Sequence, residues 1–325
     1  MSKHIFITGG AGFIGSHTAQ ALLERGDRIT IIDAFDFGYD PAIKEYNAQI
    51  LSQYPNCKIH RGDIRDAELL HQLFSFDPPD AVIHLAARAG VRPSLEDPTS
   101  YSDINITGTI RILEAMRDHN IPHLVFASSS SIYGSRKQGP FRESDNVDVP
   151  ASAYAATKKA GELFCANFNY LYGISATCLR FFTVYGPRQR PEMAIHLFTD
   201  RIRKGQTITM FGDGSSLRDY TFVGDIVSGI CKALDQPIGF QVLNLGNGSP
   251  IRLDKLISTI ESATNRAAII DRQPDQPGDV PMTFADIGKA QELIGYSPQT
   301  SIEKGISAFA QWLDQYAPLK EIDSA

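Results

Sequence analysis

The sequence predicts an α/β fold, in which a doubly wound parallel sheet carries helices on both faces and a smaller, mixed α/β domain follows. Short β-rich runs alternate with amphipathic stretches through the first half of the chain, as in parallel sheets with helical crossovers. Most of the predicted strands are nearly continuous in apolar residues, which is typical of strands buried on both faces. After Arg180 the pattern is less regular and turn-forming segments are more frequent, which indicates a second domain.

The predicted elements follow one another along the chain. Strands are predicted at 4–8, 28–33, 58–61, 81–84, 123–127 and 175–179. Helices are predicted at 12–25, 66–74, 100–120 and 151–172, with shorter ones near 286–294 and 302–316. We therefore assign residues 1–180 to the sheet domain, which a strand near 241–246 completes, and residues 181–325 mainly to the second domain.

Charge and hydropathy exclude several functional classes. The 325 residues carry a net charge of −6 and no basic tract, which argues against nucleic-acid binding. No apolar run approaches the ~20 residues that span a bilayer, and the chain enters its first predicted strand at once, which leaves no room for a signal peptide. Four widely separated cysteines, without metal-ligand spacing, are typical of reduced thiols in a cytoplasmic protein.

The first predicted strand runs directly into the turn GGAGFIG at residues 9–15, and a predicted helix follows. This arrangement matches the fingerprint of Rossmann-type dinucleotide-binding folds. Gly9 permits the tight turn, Gly12 lets backbone N–H groups approach a pyrophosphate, and Gly15 lets the helix pack against the strand. The N-terminus of the helix then faces the phosphate charge. The predicted cofactor contacts in this turn are Gly9, Gly12, Phe13, Ile14 and Gly15.

The end of the second predicted strand indicates which dinucleotide binds. Asp33 is the last residue of that strand. A carboxylate at this position accepts hydrogen bonds from the adenosine ribose hydroxyls and repels a 2′-phosphate. We therefore predict that the cofactor is NAD rather than NADP.

Two further strand ends fit around such a cofactor. Asp63 and Ile64 follow the third predicted strand, where Asp63 is expected to meet the adenine amino group. Leu85, Ala86 and Ala87 follow the fourth, where small residues leave room for the nicotinamide ribose. Each segment on its own is equally compatible with an ordinary strand end.

Tyr154 and Lys158 lie four residues apart in the run YAATKKAGE, within a predicted helix. Residues at this spacing share one helix face, so the phenol and the ammonium project side by side. A neighbouring ammonium favours the phenolate and lowers the pKa of a tyrosine from its usual value of ~10. The pair therefore predicts a proton acceptor for a hydroxyl that loses hydride to a nicotinamide, although the same spacing also arises by chance on solvated helices.

Five motifs occur in a fixed order: GGAGFIG, HLAA, SSSSIYG, YAATK and LRFFTVYGPRQRP. With these motifs, over residues 3–312, the chain resembles the extended short-chain dehydrogenase/reductases, and within that superfamily it is similar to the nucleotide-sugar 4-epimerases. The segments DAFDFGYDPAIK, ARAGVRPSLEDP, RFFTVYGPRQRPEMA and QPGDVPMTFAD resemble the UDP-glucuronate branch rather than the UDP-glucose 4-epimerases.

The resemblance implies a catalytic triad of Ser129, Tyr154 and Lys158. In such enzymes the tyrosine takes the proton of the sugar 4-hydroxyl while hydride leaves C4 for NAD, and the hydride then returns to the opposite face. The lysine holds the nicotinamide ribose and the serine bonds both the 4-hydroxyl and the tyrosine. The resemblance also implies a homodimer through the helices at 100–120 and 151–172.

The resemblance further implies how a UDP-sugar is held. Ser130, Ser131 and Thr183 would donate neutral hydrogen bonds to a uronate carboxylate. Arg218 matches an arginine on the diphosphate, where its planar fork gives charge-assisted bonds. The implied substrate contacts are Ser129, Ser130, Ser131, Thr183, Arg190, Arg218 and Asp279, with Arg190 as a weaker candidate for the diphosphate and Asp279 on the uridine side.

Several other functions stay open at this point. Ser130 and Ser131 stand where similar 4,6-dehydratases carry an Asp-Glu pair, and UDP-xylose-forming decarboxylases carry a glutamate in place of Ser131. Simple epimerisation is therefore favoured, with a 4-epimerase of UDP-glucose or UDP-N-acetylglucosamine as the first alternative and a UDP-glucuronate decarboxylase as the second. A non-catalytic NAD-binding regulator is disfavoured because the triad is retained.

Overall fold

The computed structural model describes residues 2–36, 38–136, 138–274 and 281–322, the last six of these by their backbone alone. Within these ranges the chain forms a seven-stranded parallel sheet flanked by helices, together with three two-stranded sheets. The predicted α/β class with a doubly wound parallel sheet is confirmed.

The strands and helices alternate along most of the chain. The strands are β1 (His4–Thr8), β2 (Arg28–Asp33), β3 (Cys57–Arg61), β4 (Ala81–His84), β5 (His123–Ser129), β6 (Ser175–Phe181), β7 (Thr183–Tyr185), β8 (Thr207–Phe211), β9 (Leu217–Arg218), β10 (Tyr220–Phe222), β11 (Phe240–Leu245), β12 (Ile251–Arg252) and β13 (Ile269–Gln273). The α-helices are α1 (Phe13–Glu24), α2 (Pro41–Ser52), α3 (Ala67–Phe76), α4 (Pro93–Glu96), α5 (Pro98–Ser102), α6 (Gly108–Asp118), α7 (Ala153–Tyr172), α8 (Ala194–Arg203), α9 (Val223–Asp235), α10 (Leu253–Thr264), α11 (Gly288–Ile294) and α12 (Ile302–Ile322).

The central sheet has the strand order β11-β6-β5-β4-β1-β2-β3. The chain moves outward from β1 to β3 and then returns to β4 on the other side of β1, and both β2 and β4 pair with β1 in parallel. In such sheets a crevice opens outside the carboxyl ends of the strands where the order reverses. The turns that follow β1 and β4 therefore mark the expected place of a ligand.

The serine run continues one of the central strands. The sequence predicts that β5 ends at residue 127, whereas it extends through Ser129 because Ser128 and Ser129 pair with Arg180 and Phe181 of β6. Ser130–Tyr133 then form a short 3₁₀ turn. Ser129 is therefore the last residue of a buried strand, at the same edge of the sheet as the crevice.

The prediction of a single helix at 100–120 is wrong. The structure divides it into α5, a π-helical turn at Asp103–Thr107, and α6. The Asn105 side chain in that turn accepts a hydrogen bond from the Arg88 backbone N–H (2.8 Å) and donates to the Arg88 carbonyl (3.0 Å) and the Thr157 hydroxyl (2.9 Å). The π turn thereby joins the loop after β4 to α7, a kind of local distortion that is frequent at functional sites.

The second half of the chain is more regular than the sequence predicts. Helices α8, α9 and α10 lie in stretches for which the sequence analysis predicts no element. Ile226 and Ile230 of α9 share a core with Ile5 and Ile7 of β1, while α8, β8, α10 and α12 surround a second core. Strand β11 pairs with β6 at the edge of the central sheet. The chain after residue 180 therefore contributes to both cores, and the domain boundary at 180 stays a prediction.

Two structural features bear on the function classes considered above. In the described part of the chain, no helix has the length and hydropathy that crossing a membrane requires. The same residues contain no cluster of His, Cys, Asp or Glu side chains that could hold a metal ion.

Candidate active site

The glycine turn lies between β1 and α1, where the order of the sheet reverses. Gly9 has a φ of +68°, and a Cβ at this position would lie 2.8 Å from the backbone of Ala86, in the turn after β4. A Cβ on Gly15 would overlap the carbonyl oxygen of Gly9. Only glycine fits both positions. At Gly9 the positive φ excludes a side chain, and at Gly15 the close approach of helix and turn does so.

The N-terminus of α1 is open to an anionic ligand. Gly12 is the N-cap residue and no side chain caps the helix. The first N–H groups of a helix have no acceptor within it, so those of Phe13, Ile14 and Gly15 point out of the N-terminus. Uncapped N–H groups at the positive end of a helix bind phosphate. The turn therefore fits the pyrophosphate of a dinucleotide.

Asp33 is buried beside this turn at the end of β2. Its carboxylate accepts hydrogen bonds from the backbone N–H groups of Ala11 (3.1 Å) and Phe35 (2.9 Å), and the Lys44 ammonium lies 3.3 Å from Oδ1. These donors occupy three of the about four acceptor positions of a carboxylate. About one acceptor position therefore remains for a ribose hydroxyl. The sequence analysis predicts that Asp33 accepts hydrogen bonds from both hydroxyls of the adenosine ribose.

Asp63 and Ile64 face different surroundings. The Asp63 carboxylate is partly exposed and pairs with Arg65, whose Nη2 lies 2.6 Å from Oδ2. The Arg65 hydrogen bonds lower the pKa of Asp63. Ile64 is buried, and a Cβ on Gly108 of α6 would overlap its side chain. The Asp63 carboxylate would therefore bind the adenine amino group and Arg65 at the same time. Ile64 packs in the core.

The turn after β4 is held against the turn after β1. The Thr8 hydroxyl accepts hydrogen bonds from the backbone N–H groups of Leu85 (3.2 Å) and Ala86 (3.0 Å), and lies 2.6 Å from Nδ1 of the buried His84. Leu85, Ala86 and Ala87 are all partly buried. These contacts bring the glycine turn after β1 and the turn after β4 into one crevice. Both turns are predicted to bind the cofactor.

Tyr154 lies in the first turn of α7, which the Ser152 side chain caps through the Ala155 N–H. The expected fall in the pKa of Tyr154 is wrong for this structure. Burial raises its pKa, and this effect exceeds the lowering by a hydrogen bond from the Ser129 hydroxyl and by the nearby Arg190 guanidinium. The structure thus brings Ser129 and Tyr154 together, but in an environment that favours the neutral phenol.

Lys158 lies one turn further along α7 and is almost completely buried. Its Nζ donates to the Ala127 carbonyl over 2.8 Å and lies 5.1 Å from the centre of the Phe126 ring. Burial lowers the pKa of Lys158 to about 8. Because an ammonium has three donors and Ala127 takes one, two remain for other acceptors such as ribose hydroxyls.

Arg190 lies close to Tyr154 of the triad. The rings of Tyr154 and Tyr101 are 6.3 Å apart in an edge-to-face contact. Burial raises the pKa of both tyrosines, and the charge of Arg190 opposes part of that rise. The Nε of Arg190 lies 3.2 Å from Glu192. Arg88, in the loop after β4, pairs with Asp97 at 3.0 Å. Each ion pair uses part of the guanidinium, so a diphosphate contact by Arg190 stays a prediction.

The other predicted substrate residues form two groups. Thr183 and Arg218 line one cavity of about 130 Å³, in which the Arg218 guanidinium bonds only to the carbonyl of its neighbour Leu217 among the described contacts. Ser131 donates to the Ser129 hydroxyl over 2.9 Å, and Ser130 begins the turn beside it. Asp279 lies outside the described residues.

Sequence reasoning missed three polar residues around this crevice. Asn105 holds the loop after β4, and Lys44 neutralises part of the Asp33 charge. The hydroxyl of Tyr39 lies 3.8 Å from the place of a Cβ on Gly12. Tyr39 and Lys44 both belong to the segment DAFDFGYDPAIK, so their positions could have been suspected, whereas no local pattern marks Asn105.

The chain is similar to known proteins over nearly its whole length. A family model described as GDP-mannose 4,6-dehydratase matches residues 6–309. UDP-glucuronate 4-epimerase 4 of Arabidopsis thaliana is 42% identical over an alignment that covers 96% of this chain and 75% of the plant protein. The structure of UDP-glucuronic acid 4-epimerase from Bacillus cereus, in complex with UDP-glucuronic acid and NAD, is similar with a TM-score of 0.91 and 35% identity over 96% of this chain and 99% of that chain. UDP-glucose 4-epimerase from Thermotoga maritima, with UDP-glucose, gives a TM-score of 0.87 and 29% identity over 97% and 99%.

Proposed function

The chain belongs to the extended short-chain dehydrogenase/reductase family, and we propose that it is an NAD-dependent 4-epimerase that interconverts UDP-glucuronate and UDP-galacturonate. The observation that supports this best is the contact of Ser129 with Tyr154, one helical turn from the buried Lys158, at the sheet edge where the glycine turn opens. The similarity to glucuronate epimerases of plants and bacteria supports the same substrate.

The triad residues divide the proton chemistry. Bound NAD supplies the acceptor, and later the donor, of the hydride at C4 of the sugar. Tyr154 takes the proton of the 4-hydroxyl in the first half of the reaction and returns it in the second, when the opposite face of C4 is presented. Lys158 would hold the nicotinamide ribose through its two remaining donors. Ser129 donates a hydrogen bond that stabilises the phenolate, and the nearby Arg190 charge acts in the same direction. Since burial alone disfavours the phenolate, both contributions are needed.

The residues that follow Ser129 favour epimerisation without decarboxylation of the uronate. Oxidation at C4 turns a uronate into a β-keto acid, which loses CO2 when the bond to the carboxylate aligns with the carbonyl π system. Ser130, Ser131 and Thr183 are neutral hydrogen-bond donors that would hold the carboxylate out of that alignment. Acids for dehydration or decarboxylation do not follow Ser129, where the chain has serines.

Incubation of the purified protein with UDP-glucuronate, UDP-glucose and UDP-N-acetylglucosamine in separate reactions tests this function. We expect UDP-galacturonate from the first and turnover of the two hexoses lower by about 100-fold, because the donors placed for a carboxylate lose their partner. Chromatographic separation of the products is the measurement. Faster turnover of UDP-glucose would support the hexose epimerase, UDP-xylose would support the decarboxylase, and NAD-bound protein without any turnover would support the regulator.

We also propose a homodimer through α6 and α7. Helix α7 exposes apolar side chains at Leu163, Tyr170 and Leu171, with Tyr170 87% exposed. Clustered exposed apolar residues mark protein interfaces. Light scattering should give twice the mass of the chain, and the Tyr170→Glu variant should give the mass of one. A wild-type mass equal to one chain would contradict this assembly.

We further propose that the protein acts in the cytoplasm. All four cysteines have free thiols, including the buried Cys165 and Cys178, as is usual where thiols are kept reduced. Alkylation of the thiols in freshly lysed cells should modify every cysteine after denaturation, whereas a stable disulfide would contradict this location.

A further inference from the structure

A buried ion pair lies directly behind the triad. Glu162 of α7 and Arg180 of β6 are each 2% exposed, and their side chains form two parallel bonds of 2.8 Å, from Nε to Oε1 and from Nη2 to Oε2. Such bidentate contacts fix the relative orientation of the two groups. The pair therefore holds α7 against β6 in one position.

The same carboxylate reaches the strand that carries the catalytic serine. The Ser128 hydroxyl donates to Oε1 of Glu162 over 2.7 Å, and Ser128 immediately precedes Ser129. Glu162 follows Tyr154 and Lys158 at intervals of four residues, so all three lie along one face of α7. One carboxylate thus joins the end of β5 to the helix that presents the tyrosine.

The arginine extends the network to the next strand. The Arg180 guanidinium lies 4.9 Å from the centre of the Tyr133 ring, and the Tyr133 hydroxyl donates to Asn244 of β11 over 2.6 Å. Lys159 lies 3.7 Å from Glu162 at the outer side of the pair. The network therefore spans three adjacent strands beneath the turn that carries the serines.

Stability alone does not account for this arrangement. Well-packed apolar residues can replace a buried ion pair without loss of stability, because both charges must be taken out of water. A bidentate pair with a third hydrogen bond does supply a fixed geometry, which apolar side chains do not.

We propose that Glu162 is a positioning residue, which holds the end of β5 on α7 so that the Ser129 hydroxyl stays in contact with Tyr154. The proposal rests on the proposed epimerase function of the same site. Glu162 does not itself touch the substrate; it acts through Ser128 and the backbone that Ser128 shares with Ser129. Small displacements of a catalytic group lower the rate of the chemical step more than they weaken ligand binding.

The Ser128→Ala variant tests the link most cleanly, because it removes one hydroxyl and leaves the ion pair in place. In Ser128→Ala we expect kcat for UDP-glucuronate to fall by about 10-fold, and in Glu162→Gln by about 10- to 100-fold. In both variants KM and the NAD content of the purified protein should be unchanged. Glu162→Gln replaces one of the two oxygens that hold Arg180, so the acceptor of the Ser128 hydroxyl is no longer fixed in place. The double variant should be no slower than Glu162→Gln, because both substitutions act on the same link between β5 and α7. Thr177→Val is the matched control, since it removes a buried hydroxyl of β6 that has no partner in the described structure.

Each outcome decides for or against the positioning role. A wild-type kcat in Ser128→Ala would overturn the positioning role. A fall in kcat together with an equal loss of NAD and a higher KM would overturn it as well. If Glu162→Gln does not fold, Ser128→Ala alone decides. Wild-type protein that holds NAD but turns over no UDP-sugar would instead overturn the proposed function, so the two failures are distinguishable.

Discussion

Replacing Tyr154 by phenylalanine is expected to lower kcat for UDP-glucuronate epimerisation by about 10²- to 10⁴-fold, which is the range that a positioned acid or base contributes. The substitution removes the hydroxyl that accepts and returns the proton of the sugar 4-hydroxyl in the proposed mechanism. The ring remains, so its edge-to-face contact with Tyr101 should persist. NAD content and melting temperature should therefore stay close to those of the wild type.

The measurement is the rate of UDP-galacturonate formation, with NAD released by denaturation and quantified beside it. Tyr54→Phe is the matched control, because it removes a phenolic hydroxyl that bonds to Glu24 far along the chain from the triad. Full turnover by Tyr154→Phe would refute the assignment of the base, whereas loss of NAD from this variant would show that the phenolic hydroxyl supports cofactor binding instead.

The Gly15→Ala variant is expected to lose bound NAD entirely. Its Cβ would overlap the Gly9 carbonyl oxygen, which is backbone and cannot rotate away. The turn between β1 and α1 must then shift, and with it the N–H groups that face the pyrophosphate. We expect protein without cofactor, no epimerase activity, and a lower melting temperature.

Gly26 offers a control at the other end of the same helix. It has a φ of +96° and no atom within 4 Å of a Cβ. Gly26→Ala therefore strains the backbone without a collision, by about 1 kcal/mol or more. It should lower the melting temperature and leave NAD bound. Gly15→Ala protein that still carries one NAD per chain would contradict the role of the glycine turn.

The parts of the fold that local patterns determine were predictable. Strands β1, β2 and β4 have the bounds expected from their apolar runs, because burial on both faces leaves a clear pattern in the sequence. The glycine turn was predictable for a related reason, since Gly9 needs a positive φ and Gly15 must clear the backbone of the same turn. The π turn at Asp103–Thr107 was not, because it depends on Asn105 bonding to the distant Arg88 and Thr157.

The electrostatics of the site depend on contacts between distant residues. The spacing of Tyr154 and Lys158 predicted their shared helix face but not the depth of burial that raises the pKa of the tyrosine. Helix spacing likewise gives no indication that Glu162 meets Arg180 of the next strand. The closeness of Arg190 to Tyr154 also follows from the path of a loop, which no local pattern indicates.

The central claim is that the hydrogen removed from C4 is the same one that returns to its opposite face. The most direct test is to repeat the incubation with UDP-glucuronate that carries deuterium at C4, in ordinary water, and to analyse the product by mass spectrometry. Retention of the deuterium at C4 of UDP-galacturonate is the predicted result. Replacement of that deuterium by solvent hydrogen would contradict the mechanism.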